Sequence, residues 1–222
     1  MNEFHAIAID GPAASGKSTA AKGVAKKLDF LYVDTGAMYR AITLLMLEKG
    51  LDTKSEKDAK SILDEVSIKE DRDGRIYLNG RDVTSRVREA DVTKTVSYAC
   101  AHKAVREKLV DLQREIAKAE SVVMDGRDIG TVVLPNATLK IYQVASVESR
   151  ATRRYLDEVN AGRTASLDEI KADIERRDYI DSHRENSPLR KADDAYLLDT
   201  SNLTIEEEID EIIKLYRQKV GA

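Results

Sequence analysis

Residues Ile7-Ala-Ile-Asp10-Gly11-Pro12-Ala13-Ala14-Ser15-Gly16-Lys17-Ser18-Thr19 decide how this chain is read. Gly11 to Ser18 fit the pattern G-x-x-x-x-G-K-[ST], placed directly after a short apolar run and at the opening of an amphipathic stretch. That context predicts a strand, a tight loop and then a helix. Gly11 and Gly16 let the backbone wrap so that successive N–H groups point inward at a polyphosphate, and the helix N-terminus adds partial positive charge. Lys17 is placed to reach the outer phosphate oxygens, and Ser18 to offer a hydroxyl to Mg²⁺. The segment Gly11 to Thr19 is therefore expected to bind a nucleoside triphosphate. A glycine-rich turn before a surface helix is the alternative, and it leaves the lysine at the turn unexplained.

Outward from this loop, short apolar runs alternate with longer amphipathic stretches, which reads as βαβ units around a parallel sheet. Strands are expected at Ala6–Ile9, Leu31–Val33, Val122–Met124, Leu139–Val144 and Tyr196–Leu198. Helices are expected at Lys17–Leu28, Ala37–Glu48, Ala90–Ala119, Val147–Asn160, Leu167–Arg177 and Ile205–Val220. The last carries Ile205, Ile209, Ile212 and Ile213 on one face and starts at Thr204 with acids behind it. From Glu65 to Thr84 the rhythm breaks into β-rich fragments separated by Asp73-Gly74 and Asn79-Gly80. Both dipeptides are hairpin signals, so a small antiparallel insertion is expected there.

With 222 residues the chain should form one domain, or one domain with a substantial insertion, and can build a core without staples. A formal net charge of −4 argues against holding a nucleic-acid backbone by bulk charge, so a bound anion must meet a local basic patch. Cys100 is the one cysteine and reads as helix packing. His5, His102 and His183 stand too far apart for a zinc site, so a metal should be a hard one. His102 reads as a helix-surface residue and His183 as an exposed loop residue. The start, Met1-Asn-Glu-Phe-His5, is no secretory signal, and no apolar run approaches the ~20 residues of a membrane span, so a cytoplasmic protein is expected.

A guanine-reading N-K-x-D is absent, because no asparagine is followed by lysine, and motor or AAA-type ATPases need a longer chain. A small-molecule kinase needs a second anion site facing the loop and further arginines to neutralise charge on the moving phosphoryl group. The second strand runs into Asp34-Thr-Gly-Ala-Met-Tyr39-Arg40, and the third into Met124-Asp125-Gly-Arg127-Asp128-Ile-Gly130. Both lie at the carboxyl edge of the sheet, where ligands bind in open α/β folds, so Arg40 and Arg127 would converge on one phosphate. The alternative is that each pairs with its neighbouring Asp on the surface. Eight arginines (150, 153, 154, 163, 176, 177, 184 and 190) follow between Arg150 and Arg190. Such a run can be a solvated face. Here Arg150, Arg153 and Arg154 precede a loop near Ala161–Ser166, and Arg177, Asp181 and Arg184 follow it, as a closing lid that excludes water would need.

Taken together, Gly11–Ser18, Asp34–Arg40, Met124–Val133 and Arg177-Asp-Tyr-Ile-Asp-Ser-His-Arg184 with Ser187-Pro-Leu resemble the bacterial cytidylate kinases, and the likeness spans essentially the whole chain. The resemblance implies a P-loop α/β fold in three layers, with a five-stranded parallel sheet of order 2-3-1-4-5, a monophosphate-binding region enlarged by the β insertion, and a short LID. It implies a core at residues 1–36, 85–150 and 190–222, a monophosphate-binding region at 37–84, and a LID with flanking helices at 151–189. Carried over by position, Arg40, Arg127 and Arg184 would hold the CMP phosphate, with Thr35 and Tyr39 beside them. Ser97, Arg106 and Asp128 would read cytosine, and Arg177 and Asp181 would meet the ribose. Arg153 and Arg154 are the favoured LID arginines, acting with Lys17. Mg²⁺ would sit by Ser18, with Asp125 acting through water.

The implied reaction is phosphoryl transfer from ATP to CMP, and to dCMP as a second acceptor, by a monomer with no nucleic-acid or membrane partner. Cytosine presents an N4 donor beside N3 and O2 acceptors, so Asp128 or Ser97 as acceptor with Arg106 as donor suits it, and uracil would set acceptor against acceptor. For Ser97 and Arg106 a solvated place on a long helix stays open. Rival readings are a kinase of the same class acting on UMP, AMP or shikimate, and a non-catalytic nucleotide-binding or RNA-associated protein.

Overall fold

The structure, a computed structural model, describes residues 4–160 and 162–221. Ala161, first residue of the expected loop, lies outside the described residues, as do Met1 to Glu3. In chain order the elements are β1 (Ala6–Asp10), α1 (Lys17–Leu28), β2 (Leu31–Asp34), α2 (Thr35–Glu48), α3 (Glu56–Ile62), β3 (Ile68–Glu70), β4 (Ile76–Leu78) and β5 (Arg81–Asp82). There follow α4 (Ala90–Ala99), α5 (Lys103–Ala119), β6 (Val122–Gly126), β7 (Leu139–Val144), α6 (Val147–Asn160), α7 (Leu167–His183), β8 (Tyr196–Asp199) and α8 (Ile205–Val220).

Five strands pair in the order β2-β6-β1-β7-β8, all parallel. Counted within this sheet alone, that is the expected order 2-3-1-4-5. The central strands are apolar without alternation, Ile7-Ala8-Ile9 and Val122-Val123-Met124, because helices cover both faces and every side chain is buried. One face packs α1 and α8 through Ala20, Ala21 and Val24 against Ile209, Ile212 and Ile213. The other packs α2, α4 and α5, and continues into the insertion through Ile68, Ile76 and Leu78. Pairing sets Asp10 opposite Gly126 and Asp34 opposite Asp125, so β1, β2 and β6 end level at one edge. The Gly11 loop, α2 and the Arg127 segment all leave from that edge.

The insertion is a three-stranded antiparallel sheet, β3-β4-β5. Its second turn has Asn79 at φ +50° and Gly80 at φ +81°, as that dipeptide predicts. At α8, Thr204 Oγ1 accepts from the Glu207 N–H at 3.3 Å while the Glu207 carboxylate accepts from the Thr204 N–H at 2.8 Å, a reciprocal cap at the expected start.

The helices depart from expectation in four places. The stretch Ala90–Ala119 is two helices, because the chain turns at Cys100–His102. His102 is extended there and buried, with Nε2 2.9 Å from the Thr53 carbonyl and Nδ1 3.2 Å from Glu56, so it is not a surface residue. Helix α3 was not expected, being too short to show a period; the Ser55 hydroxyl caps it by accepting from the Asp58 N–H at 3.2 Å. Helix α7 runs past Arg177 to His183, and α2 starts at Thr35, capped by Asp34 Oδ1 accepting from the Ala37 N–H at 2.8 Å.

Gly23 lets α1 and α8 touch: a Cβ there would stand 2.2 Å from Ile209 Cδ1. Gly23→Ala should therefore destabilise the fold by about 1–3 kcal/mol through overpacking, read as a lower midpoint in thermal unfolding. Ile209→Ala should cost much less in the Gly23→Ala background than in the wild type. Additive losses would contradict the contact.

Candidate active site

The phosphate-binding loop is shaped by its glycines. A Cβ at Gly11 would lie 2.0 Å from the Gln143 carbonyl oxygen, and Gly16 sits at φ +90° as the residue before α1. Lys17 is buried and folds back into the loop, Nζ donating to the Pro12 carbonyl at 2.6 Å and to Ser15 Oγ at 3.1 Å. Burial, and then the positive charge of Arg127, pull the Lys17 pKa well below the ordinary lysine range, against Asp125, Asp10 and Asp178. Beside it, Ser18 Oγ donates to Asp125 Oδ2 at 2.8 Å and the Tyr32 hydroxyl donates to Oδ1 at 2.8 Å. Burial, with Asp34 next, raises the Asp125 carboxyl above its usual range.

One cavity of about 710 Å³ faces this loop. Ala14 to Thr19 line it on one side, while Gly11, Pro12 and Ala13 do not reach it. All the expected acceptor-side residues line it too: Thr35, Tyr39, Arg40, Ser97, Arg106, Arg127, Asp128, Arg177, Asp181 and Arg184. Four of these guanidiniums, those of Arg40, Arg106, Arg127 and Arg184, are held by carboxylates. Arg127 Nε donates to Asp181 at 2.8 Å, and Arg184 lies 3.6 Å from Asp128 and 3.8 Å from Asp181. Arg106 bonds Asp128 and sits over the Tyr39 ring, 5.2 Å from its centroid. Of Arg40 and Arg127, only Arg40 pairs with the Asp of its own segment, Asp34 at 3.1 Å, and that pair lies in the cavity wall with side chains 16% and 6% exposed. Ser97 and Arg106 are buried, which removes the solvated-helix alternative.

Buried donors at Tyr39 Oη, Arg40 Nε, Arg106 Nε and Arg177 Nε have no protein partner. Donors in such positions are suited to a polar, anionic ligand, since burial without a partner costs about 1–3 kcal/mol each. Burial, then Arg127, lowers the Arg177 pKa.

The two LID candidates are held differently. Arg153 lies against the loop, Nη2 donating to the Thr200 carbonyl at 2.6 Å and standing 3.7 Å from Glu208. Arg154 lies along its own helix, 3.1 Å from Glu158, and also lines the cavity. Cys100 lines it as well, with burial raising its thiol to about 11. His183 is exposed at the end of α7, stacked on Tyr179.

Three further residues shape the site that sequence reasoning missed. Arg88, at the exit of the insertion, shares Asp34 Oδ2 with Arg40 at 3.1 Å each and lines the cavity. Nothing in the sequence separates it from Arg86, which pairs with Asp91 on the surface. Glu70 reaches from β3 to accept the Asp34 N–H at 2.9 Å, and burial pushes its carboxyl up to about 8. Asp10 accepts from the Ile129 N–H at 2.8 Å and the Gly130 N–H at 2.7 Å, tying the Arg127 segment to the end of β1. Its place directly before the loop was the only signal for it.

Among the described residues no three His, Cys, Asp or Glu groups cluster as a metal cage. The hard oxygens of Ser18 and Asp125 lie side by side, which fits Mg²⁺ completed by phosphate and water oxygens.

A sequence model of the cytidylate kinase family matches residues 7–218. A cytidylate kinase of Lactobacillus johnsonii is 49% identical over 222 residues, covering 99% of this chain and 96% of its own. One of Bacillus cereus is 49% identical over 219 residues, covering 97% of each chain. Among solved structures, a gluconokinase from Sinorhizobium meliloti superposes with a TM-score of 0.52 at 11% identity, covering 96% of this chain and 92% of its own, a likeness of fold.

The depressed Lys17 pKa gives a linkage with a definite sign. A polyphosphate on the loop restores the ammonium, so binding at about pH 7–9 should take up protons, measured by calorimetry in buffers of differing ionisation enthalpy. Lys17→Met should bind without that uptake. Net proton release by the wild type would contradict the assignment.

Proposed function

The chain belongs to the cytidylate kinase family, and we propose that it transfers the terminal phosphoryl group of ATP to CMP, giving ADP and CDP. The observation that carries this reading is that Arg40, Arg127 and Arg184 share one cavity with the Lys17 loop. A loop that binds a polyphosphate and a group of guanidinium side chains that binds a monophosphate, facing each other, suit a phosphoryl group passed in line between two nucleotides.

Such a transfer has a loose transition state, so the protein's work is positioning and charge stabilisation. The loop N–H groups and Lys17 hold the donor's phosphates. Arg40, Arg127 and Arg184 hold the acceptor phosphate, with Thr35 at the start of α2 and Tyr39 one turn on. Asp128 accepts from cytosine N4, with Ser97 beside it, and Arg106 is fixed by Asp128 to donate. Arg177 and Asp181 meet the ribose, and dCMP serves as a second acceptor. Arg153 and Arg154, on α6, meet charge developing on the moving group. Ser18 and Asp125 would hold Mg²⁺, directly or through water, and the ion would neutralise charge on the donor's phosphate oxygens. No histidine acts as a base in this reading.

The core at 1–36, 85–150 and 190–222 carries the donor loop, the region at 37–84 closes on the monophosphate, and residues 151–189 form the LID. Both nucleotide sites draw on one chain, which supports action as a monomer. In this reading the reaction runs in the cytoplasm. Among the described residues no helix is long and apolar enough to cross a membrane.

A coupled assay of ADP release with ATP and CMP, dCMP, UMP, AMP or shikimate tests the reading. CMP should be the best acceptor with dCMP next, and ATP binding without CMP-dependent release would overturn it. Arg184→Ala should weaken CMP binding by about 1.5–3 kcal/mol, the worth of a buried charge-assisted contact, measured by calorimetry.

A further inference from the structure

We propose that Arg150 and Asp178, residues of the two helices flanking the cavity, are positioning residues that fix the phosphate-binding loop from outside by clamping both backbone groups of Ala13. The Ala13 N–H donates to Asp178 Oδ1 at 2.9 Å, and the Ala13 carbonyl accepts from Arg150 Nη1 at 2.9 Å. The same Arg150 nitrogen donates to Asp178 Oδ2 at 2.5 Å, and Arg150 Nε is anchored on the Ala145 carbonyl at 3.0 Å. The three partners therefore close a ring around one residue of the loop, holding the peptide groups on both sides of its Cα.

That residue needs both partners. Ala13 is 2% exposed, and its N–H and carbonyl belong to neither a strand nor a helix, so burial would leave both unpaired. The next residue, Ala14, is held at φ +58°, a left-handed conformation that a residue with a Cβ keeps only when its surroundings impose it. Arg150 is buried and the Asp178 side chain is 22% exposed, so the ion pair is largely shielded from water and the buried guanidinium needs its carboxylate. Asp178 is also one of the carboxylates that support the Lys17 ammonium.

The place of Asp178 in α7 gives the clamp a second consequence. Its neighbours Arg177 and Asp181 line the acceptor side of the cavity, while Asp178 itself bonds the donor loop. One turn of one helix thus touches both halves of the site. The flanking helices are registered to the donor loop by this contact, and a phosphoryl acceptor aligned on α7 is aligned to the loop as well.

The inference rests on the function proposed above, and its test separates the two. Asp178→Asn keeps the side-chain shape and an acceptor for Ala13 but loses the charge. It should raise the KM for ATP about tenfold and lower kcat, while the CMP dissociation constant measured without ATP moves less than about threefold. Arg150→Met leaves the half-buried Asp178 without its charge partner and should lower the unfolding midpoint. Adding Asp178→Leu should recover much of that midpoint without recovering ATP binding, because an apolar pair replaces the charges but not the bonds to Ala13. Wild-type ATP kinetics in Asp178→Asn, equal losses for ATP and CMP, or recovery of ATP binding together with stability would each overturn the clamp. Should the wild type not phosphorylate CMP, the proposed function fails, and direct titration of Asp178→Asn with ATP still decides the clamp.

Discussion

The structure depends on keeping a dense group of buried cations in place. Lys17, Arg106 and Arg150 are nearly closed off from water; Lys17 and Arg106 stand with Arg127 and Arg184 in the wall of one cavity, and Arg150 lies behind it against the loop. Each guanidinium is pinned by a carboxylate: Arg106 by Asp128, Arg127 by Asp181, Arg150 by Asp178 and Arg40 by Asp34. An unpaired charge there would cost several kcal/mol, so the carboxylates are a condition of folding as much as of binding. Arg40 Nε and Arg177 Nε, on two residues that line the cavity, are buried without protein partners. Charges already aimed need little reorganisation when charge develops on a phosphoryl group, which is where such sites gain most of their rate.

The sheet supplies the framework for this arrangement. Because β1, β2 and β6 end level, the donor loop, Arg40 and Arg127 begin at one edge without long connections. Cross-links then fix the pieces. Asp10 ties the segment after β6 to β1, Glu70 ties the insertion to the start of α2, and Arg88 adds a guanidinium from the insertion's exit. The insertion thereby braces the site wall through Glu70, while Arg88 just beyond it lines the cavity.

Much of this was legible beforehand, and the reasons differ by element. The loop was read from Gly11, Gly16 and Lys17, whose types and spacing are dictated by one task. The parallel strands were read from unbroken apolar runs, since burial on both faces leaves no polar alternation. The break at Cys100–His102 was not legible, because the amphipathic period runs through it and the turn is fixed by distant partners, Thr53 and Glu56. Helix α3 was missed for want of length. Arg88, Glu70 and Asp178 were missed for a common reason: each looks like an ordinary surface charge, and only tertiary contact with Asp34 or Ala13 gives it a role.

The central claim is that donor and acceptor nucleotides meet in one cavity, phosphate to phosphate, on a single chain. Titration calorimetry with a bisubstrate analogue, adenosine and cytidine joined through five phosphates, tests it most directly. One molecule should bind per chain, far more tightly than ATP or CMP alone, and exclude both. Binding no tighter than ATP, with CMP still able to saturate a separate site, would contradict it.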